Sequence, residues 1–160
     1  MQKIYNTYIQ SRIDYCSAVY HPGSESLLKP ITKAVNAFWK LCSRDTPHEN
    51  FMNPRLRLIL NDLVFFHNIA HGKSVIDYKT MFKTSSPISP EVIKEESKFR
   101  DKKLCIPKWR LNIARLTFSF RVRSYWNLIP KNIKLMKAAK FKPEVKKYIL
   151  DNERKFLIWA

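Results

Sequence analysis

The sequence predicts an all-α protein: a small helical bundle followed by a basic, proline-interrupted C-terminal helical segment. Three observations carry that expectation. The chain holds only 2 glycines in 160 residues, Gly23 and Gly72. Dinucleotide-binding turns, phosphate-cradling loops and tight multi-hairpin sheets need glycine at positions with φ > 0, so those architectures are nearly excluded. Long runs of the chain place apolar residues three and four apart, the helical period. Hydrophobic residues make up 45%, which supplies a core for one domain, or one domain with a small satellite, and argues against overall disorder.

The first predicted helix spans about Ile4 to Tyr20, on the stripe Ile4, Tyr5, Tyr8, Ile9, Ile13, Cys16, Val19 and Tyr20. His21-Pro22-Gly23-Ser24 breaks it. A second helix runs from about Ser26 to Cys42, with Leu27, Leu28, Ile31, Val35, Phe38 and Trp39 inward, Lys29, Lys33 and Lys40 flanking, and Pro30 in its first turns. The third spans about Pro54 to Ala70, with Leu56, Leu60, Leu63, Val64, His67 and Ile69 on its buried face. Asn53 is its N-cap and Gly72 its C′ residue. Ser74 and Asp77 cap a short helix reaching about Phe82. Tyr8, Ile9, Ile13, Val35, Phe38, Leu60 and Leu63 are expected to share one core.

At Thr84 the chain changes character. Residues 84–108, rich in serine and proline, read as a linker with at most one helical turn at Glu91–Lys94. Between Leu116 and Val122 the pattern fits both a strand and a helix, and the longer stripe Phe118, Val122, Tyr125, Trp126 and Ile129 favours a helix from Phe118. Pro130 ends it, and a last helix runs from about Pro143 to Lys155. The organisation expected is a bundle at 1–82, a linker at 83–108 and a basic, aromatic-rich module at 109–160.

Charge bounds the partners. The chain carries 30 Lys and Arg against 13 Asp and Glu, a net +17. Residues 81–160 hold twenty of those cations and seven of the acids. An imbalance of this size points to a polyanion, with a merely solubilising basic surface as the plain alternative. Cys16, Cys42 and Cys105 are odd in number and widely spaced, which suits a reducing, intracellular setting, nuclear or cytoplasmic. No signal peptide or membrane span is legible.

Three ordered clusters then stand out. The first is Tyr5-x-x-Tyr8-Ile9-x-Ser11-Arg12-Ile13-Asp14-Tyr15-Cys16, continuing to Val19-Tyr20-His21-Pro22. The second is Asn61-Asp62-Leu63-x-Phe65-Phe66-x-x-Ile69-x-His71-Gly72, followed by Ile76-Asp77. The third is Thr117-Phe118-x-x-Arg121-x4-Trp126-Asn127-x-Ile129-Pro130, followed by Phe141-Lys142 and Tyr148. Together they resemble the thumb and post-thumb region of the reverse transcriptases of LINE-class, jockey-like non-LTR retrotransposons, over about Ile4 to Leu150. The chain departs from that pattern at Tyr20, where the family writes Trp, at His67-Asn68 for Tyr-Lys, and at Ile129 for Leu. The resemblance implies a region that cradles template–primer duplex and holds element RNA. It marks Tyr15, Asp62, Gly72, Phe118, Trp126, Asn127 and Pro130 as motif positions with structural roles.

Polymerisation in that family needs paired carboxylates holding two Mg²⁺ ions. Here Asp14, Asp45, Asp62, Asp77, Asp101 and Asp151 all lack an acidic neighbour. Glu95-Glu96, the lone acidic doublet, sits beside Lys94 and Lys98 and reads as solvated surface. His67 and His71 have metal-ligand spacing, but Cys42 is the only distant third candidate, and packed histidines are the better reading. Cys16 with His21 could form a nucleophilic pair, yet Cys16 lies on an apolar stripe. No cofactor, metal or catalytic residue is expected.

The strongest candidate is the block from Lys98 to Lys147, with sixteen cations against Asp101 and Glu144. Lys108, Arg110, Arg115, Arg121, Arg123, Lys131 and Lys134 are the expected phosphate contacts, with Arg121 equally suited to pinning local structure through a carboxylate. Phe118 and Trp126 are expected in the core rather than stacked on bases. The function expected is non-catalytic binding of RNA, DNA or both. The rival is a helical adaptor recruited from a retroelement fragment, whose basic face meets an acidic protein.

Overall fold

A computed structural model of the chain describes residues 2–21, 24–42, 52–76, 104, 106 and 116–157. Within these the fold is all-helical. The elements are α1 (Gln2–Ile4), a π-helical turn (Tyr5–Gln10), α2 (Ser11–Asp14), α3 (Ser17–Tyr20), α4 (Glu25–Cys42) and α5 (Pro54–Ala70). Then come α6 (Phe118–Leu128), α7 (Lys131–Lys134), α8 (Ala138–Asp151) and α9 (Glu153–Leu157). The expected linker turn at Glu91–Lys94 and residues 77–82 of the expected short helix lie outside the described residues.

α5 is the central element. Leu56, Leu58, Ile59, Leu60, Leu63, Phe66 and Ile69 are all buried, so it is apolar nearly all round, the pattern of a helix enclosed by others. One side carries Leu58 into a small cluster with Tyr5, Ile13, Leu28, Val35 and Trp39. The other side carries Leu56, Leu60, Leu63 and Phe66 into a larger cluster with Val122, Tyr125, Trp126, Phe141, Val145, Ile149 and Phe156. The expected common core is therefore corrected. Leu60 and Leu63 face the C-terminal helices, Leu58 faces the N-terminal ones, and Tyr8 is 66% exposed. The helix assigned to the bundle at 1–82 supplies the core of the segment at 109–160, so the two share a centre rather than resting as separate modules. Leu104, at the end of the expected linker, is buried in that larger cluster.

The first helix is not continuous. Tyr15 leaves the helical region (ψ 126°) and Cys16 sits at φ 50°, a left-handed conformation that disfavours a β-carbon. The turn redirects the chain so that α2 and α3 each pack on α5, and the Tyr20 hydroxyl donates to the Ile13 carbonyl across it. α4 and α5 span close to the expected residues, but Leu27, expected inward, is exposed. α5 is capped as expected: Asn53 Oδ1 accepts from the Arg55 N–H at 2.9 Å. At its other end Lys73 N–H reaches Asn68 O (2.8 Å) and Gly72 N–H reaches Ile69 O (3.0 Å), the paired bonds of a Schellman ending with Gly72 at φ 65°.

α6 begins at Phe118, which resolves the strand alternative at 116–122 in favour of helix. Pro130 precedes α7, a turn the sequence pattern did not suggest. α8 starts at Ala138 rather than Pro143; its proline is the sixth helical residue, as Pro30 is in α4.

Candidate nucleic-acid interface

The three sequence clusters meet in one buried place. Asp62 on α5 accepts with Oδ2 from His21 Nδ1 (2.8 Å) and from Arg121 Nε (3.0 Å). The remaining Arg121 nitrogens donate to backbone carbonyls of Leu116 and Ala18. The break at Cys16 places that Ala18 carbonyl and His21 within reach. Asp62 is wholly buried, His21 and Arg121 nearly so, and no phosphate could reach the guanidinium. Burial, with the negative charge of Asp62 added to it, pushes the neighbouring Tyr125 hydroxyl up to about 12.

A second network surrounds Asp14. Arg57 donates to both carboxylate oxygens (3.0 and 2.7 Å), and Asn61 and Gln10 donate to Oδ1 at 2.8 and 2.9 Å. Burial pushes this carboxyl upward, but the bonds from Arg57 and Asn61, the Arg57 charge and Gln10 together outweigh it. They hold Asp14 below the ordinary carboxylate range.

Of the expected phosphate contacts, Lys108, Arg110 and Arg115 lie outside the described residues, as do Glu95, Glu96 and Cys105. Arg121, Arg123 and Lys134 are corrected: all three are buried. α6 packs on both α5 and α9, and the Arg123 side chain is 1% exposed. Lys134 is turned inward, its ammonium 5.5 Å from the Trp126 ring centroid, where the ring quadrupole attracts it. Lys131 is exposed.

Several of the motif positions pack or hydrogen-bond inside the fold. Trp126 is buried against Phe66, and Phe118 packs edge-on to Phe65 at 5.4 Å. Asn127 Oδ1 accepts from the Leu104 N–H (2.7 Å) while its amide donates to the Leu104 carbonyl (2.9 Å), so one side chain holds the incoming segment as a neighbouring strand would. Tyr15 is the exception, 76% exposed where the helix is interrupted. His67 is stacked between His71 and Phe141, at 3.9 Å from each. His67 Nε2 meets the Met136 carbonyl and His71 Nε2 that of Lys134, so both rings brace the α7 turn. No group of three or more His, Cys, Asp or Glu among the described residues is placed to hold a metal ion. Cys16 is exposed rather than buried, while His21 points to Asp62.

The surface offers a different site. A groove of about 670 Å³ lies between α4 and the first turn of α5, with Leu157 also in its lining. Lys29, Lys33, Lys40 and Arg55 line it with Thr32, Asn36 and Asn53, together with Leu28 and Ala37. None of its described lining residues is acidic. The signal was present in the sequence as three lysines flanking the second helix. A linear count gives more weight to the charge downstream, of which the fold turns Arg121, Arg123 and Lys134 inward. Comparison with protein-family models, curated proteins and solved structures gave no match to this chain.

Proposed function

We propose that this chain is a non-catalytic nucleic-acid-binding module, related to the thumb and post-thumb region of non-LTR reverse transcriptases, that holds RNA or a template–primer duplex by its phosphates. One observation carries the reading. Among described residues with placed side chains, thirteen Lys and Arg are exposed against three exposed carboxylates, Glu144, Asp151 and Glu153. Such a surface neutralises phosphates and releases their counterions without reading sequence. The kinship draws support from His21, Asp62 and Arg121, which come from three separate motif clusters and meet in one buried contact.

The decisive assay is retention of single-stranded RNA, duplex DNA and heparin by the chain across a salt series. Binding that weakens as salt rises is expected; no binding to any of the three ends the proposal. Primer extension with Mg²⁺ or Mn²⁺ is expected to be absent, and metal-dependent extension by a clean preparation would sink the non-catalytic half. The adaptor remains the second reading because Ile4, Tyr8, Tyr15 and Val19 are large, apolar and exposed. Capture of an acidic peptide in preference to RNA at equal salt would promote it.

A further inference from the structure

The groove between α4 and α5 has the make-up of a seat for a phosphate backbone. Lys29, Lys33, Asn36 and Lys40 follow one another at spacings of four, three and four residues, which puts them along one face of α4. From Lys29 to Lys40 that face runs about 16 Å at the helical rise of 1.5 Å per residue. All three lysines are exposed, and none takes part in an ion pair among the described residues. Across the groove stands the N-terminal end of α5, where Asn53 and Arg55 line the wall and the helix dipole adds partial positive charge. Arg55 is partly anchored, donating to the Leu157 carbonyl at 3.5 Å.

We propose that this groove is the principal nucleic-acid subsite of the chain and that it grips consecutive phosphates of one strand. The inference rests on the nucleic-acid reading and gives it a place. Four cations supply the charge, and Thr32, Asn36 and Asn53 supply neutral donors of the kind that orient phosphate oxygens. Among the described residues that line the groove none is aromatic, and the grip proposed there rests on phosphates, which carry no sequence information. The exposed lysines of α8 make a poorer seat. Lys140, Lys142 and Lys147 share their helix with two exposed carboxylates, Glu144 and Asp151, where α4 carries one acid, Glu25.

The test removes equal charge from the two places in the intact chain. Lys29→Gln, Lys33→Gln and Lys40→Gln are combined in one variant, and Lys140→Gln, Lys142→Gln and Lys147→Gln in another. Arg55→Gln is made alone, and circular dichroism and the unfolding midpoint confirm that each still folds. Affinity for single-stranded RNA, single-stranded DNA and a duplex is then measured against salt. Each phosphate contact contributes roughly 0.7 to the slope of log K against log[salt] for single strands and roughly 0.9 for duplex. The α4 variant is therefore expected to flatten the slope by about 2 to 3, Arg55→Gln by about 1, and the α8 variant by less than either. Scrambling the probe sequence is expected to change nothing.

Equal losses from the two triple variants would mean a diffuse charged surface and overturn the groove. So would an α4 variant with the wild-type slope. In both cases the wild-type chain still binds, and the broader proposal survives. A wild-type chain that binds no probe overturns both.

Discussion

Asp62 shows how a charged residue can matter to the fold while never touching a ligand. It is enclosed with His21 and Arg121, and removing one member of a buried charged group leaves the others without compensation. Asp62→Ala is expected to cost about 3–5 kcal/mol in denaturant unfolding. A loss below about 0.5 kcal/mol, the range of ordinary surface changes, would mean the cluster is not formed. Asp14 behaves differently because it is half exposed. Its folded-state pKa lies below the ordinary 3.8, so its network contributes fully above that value and is lost as pH falls through the folded one. Asp14→Asn lacks that contribution throughout. The unfolding midpoint of the wild type should therefore drop further than the variant's between about pH 6 and about pH 3. Parallel drops would show that the carboxylate is not held as described.

At the scale of elements, regular periodicity made α4, α5 and α6 legible, with both caps of α5. Periodicity failed at two kinds of place. At Cys16 a continuous apolar stripe concealed a left-handed residue, because what breaks the helix is tertiary: Tyr20, Ala18 and His21 are drawn to Ile13, Arg121 and Asp62. In α5, choosing one buried face hid the second. Leu58 falls off the stripe of Leu56, Leu60 and Leu63, yet it is fully buried against Tyr5, Val35 and Trp39. Leu58→Ala should therefore cost about 2–5 kcal/mol, as a cavity in the smaller cluster. A near-neutral change in the unfolding midpoint would mean that α4 does not close over α5.

For the whole molecule, net charge was read correctly as a number but not as a map. Sequence places sixteen cations between Lys98 and Lys147, and three of the described ones are turned inward: Arg121 to a carboxylate, Lys134 to a ring, and Arg123 within the packed face of α6. The side chain's surroundings decide whether a cation is a contact or a brace, and a linear count does not contain them. The shorter row on α4 is not legible as a site in the sequence, because three lysines on an amphipathic helix read as a solvated face until a second wall stands opposite. The most direct measurement is the salt dependence of single-stranded RNA binding by the intact chain. If three or four groove cations neutralise phosphates, log K should fall linearly with log[salt] at a slope of about −2 to −3. A flat line, or no binding at low salt, would contradict the account.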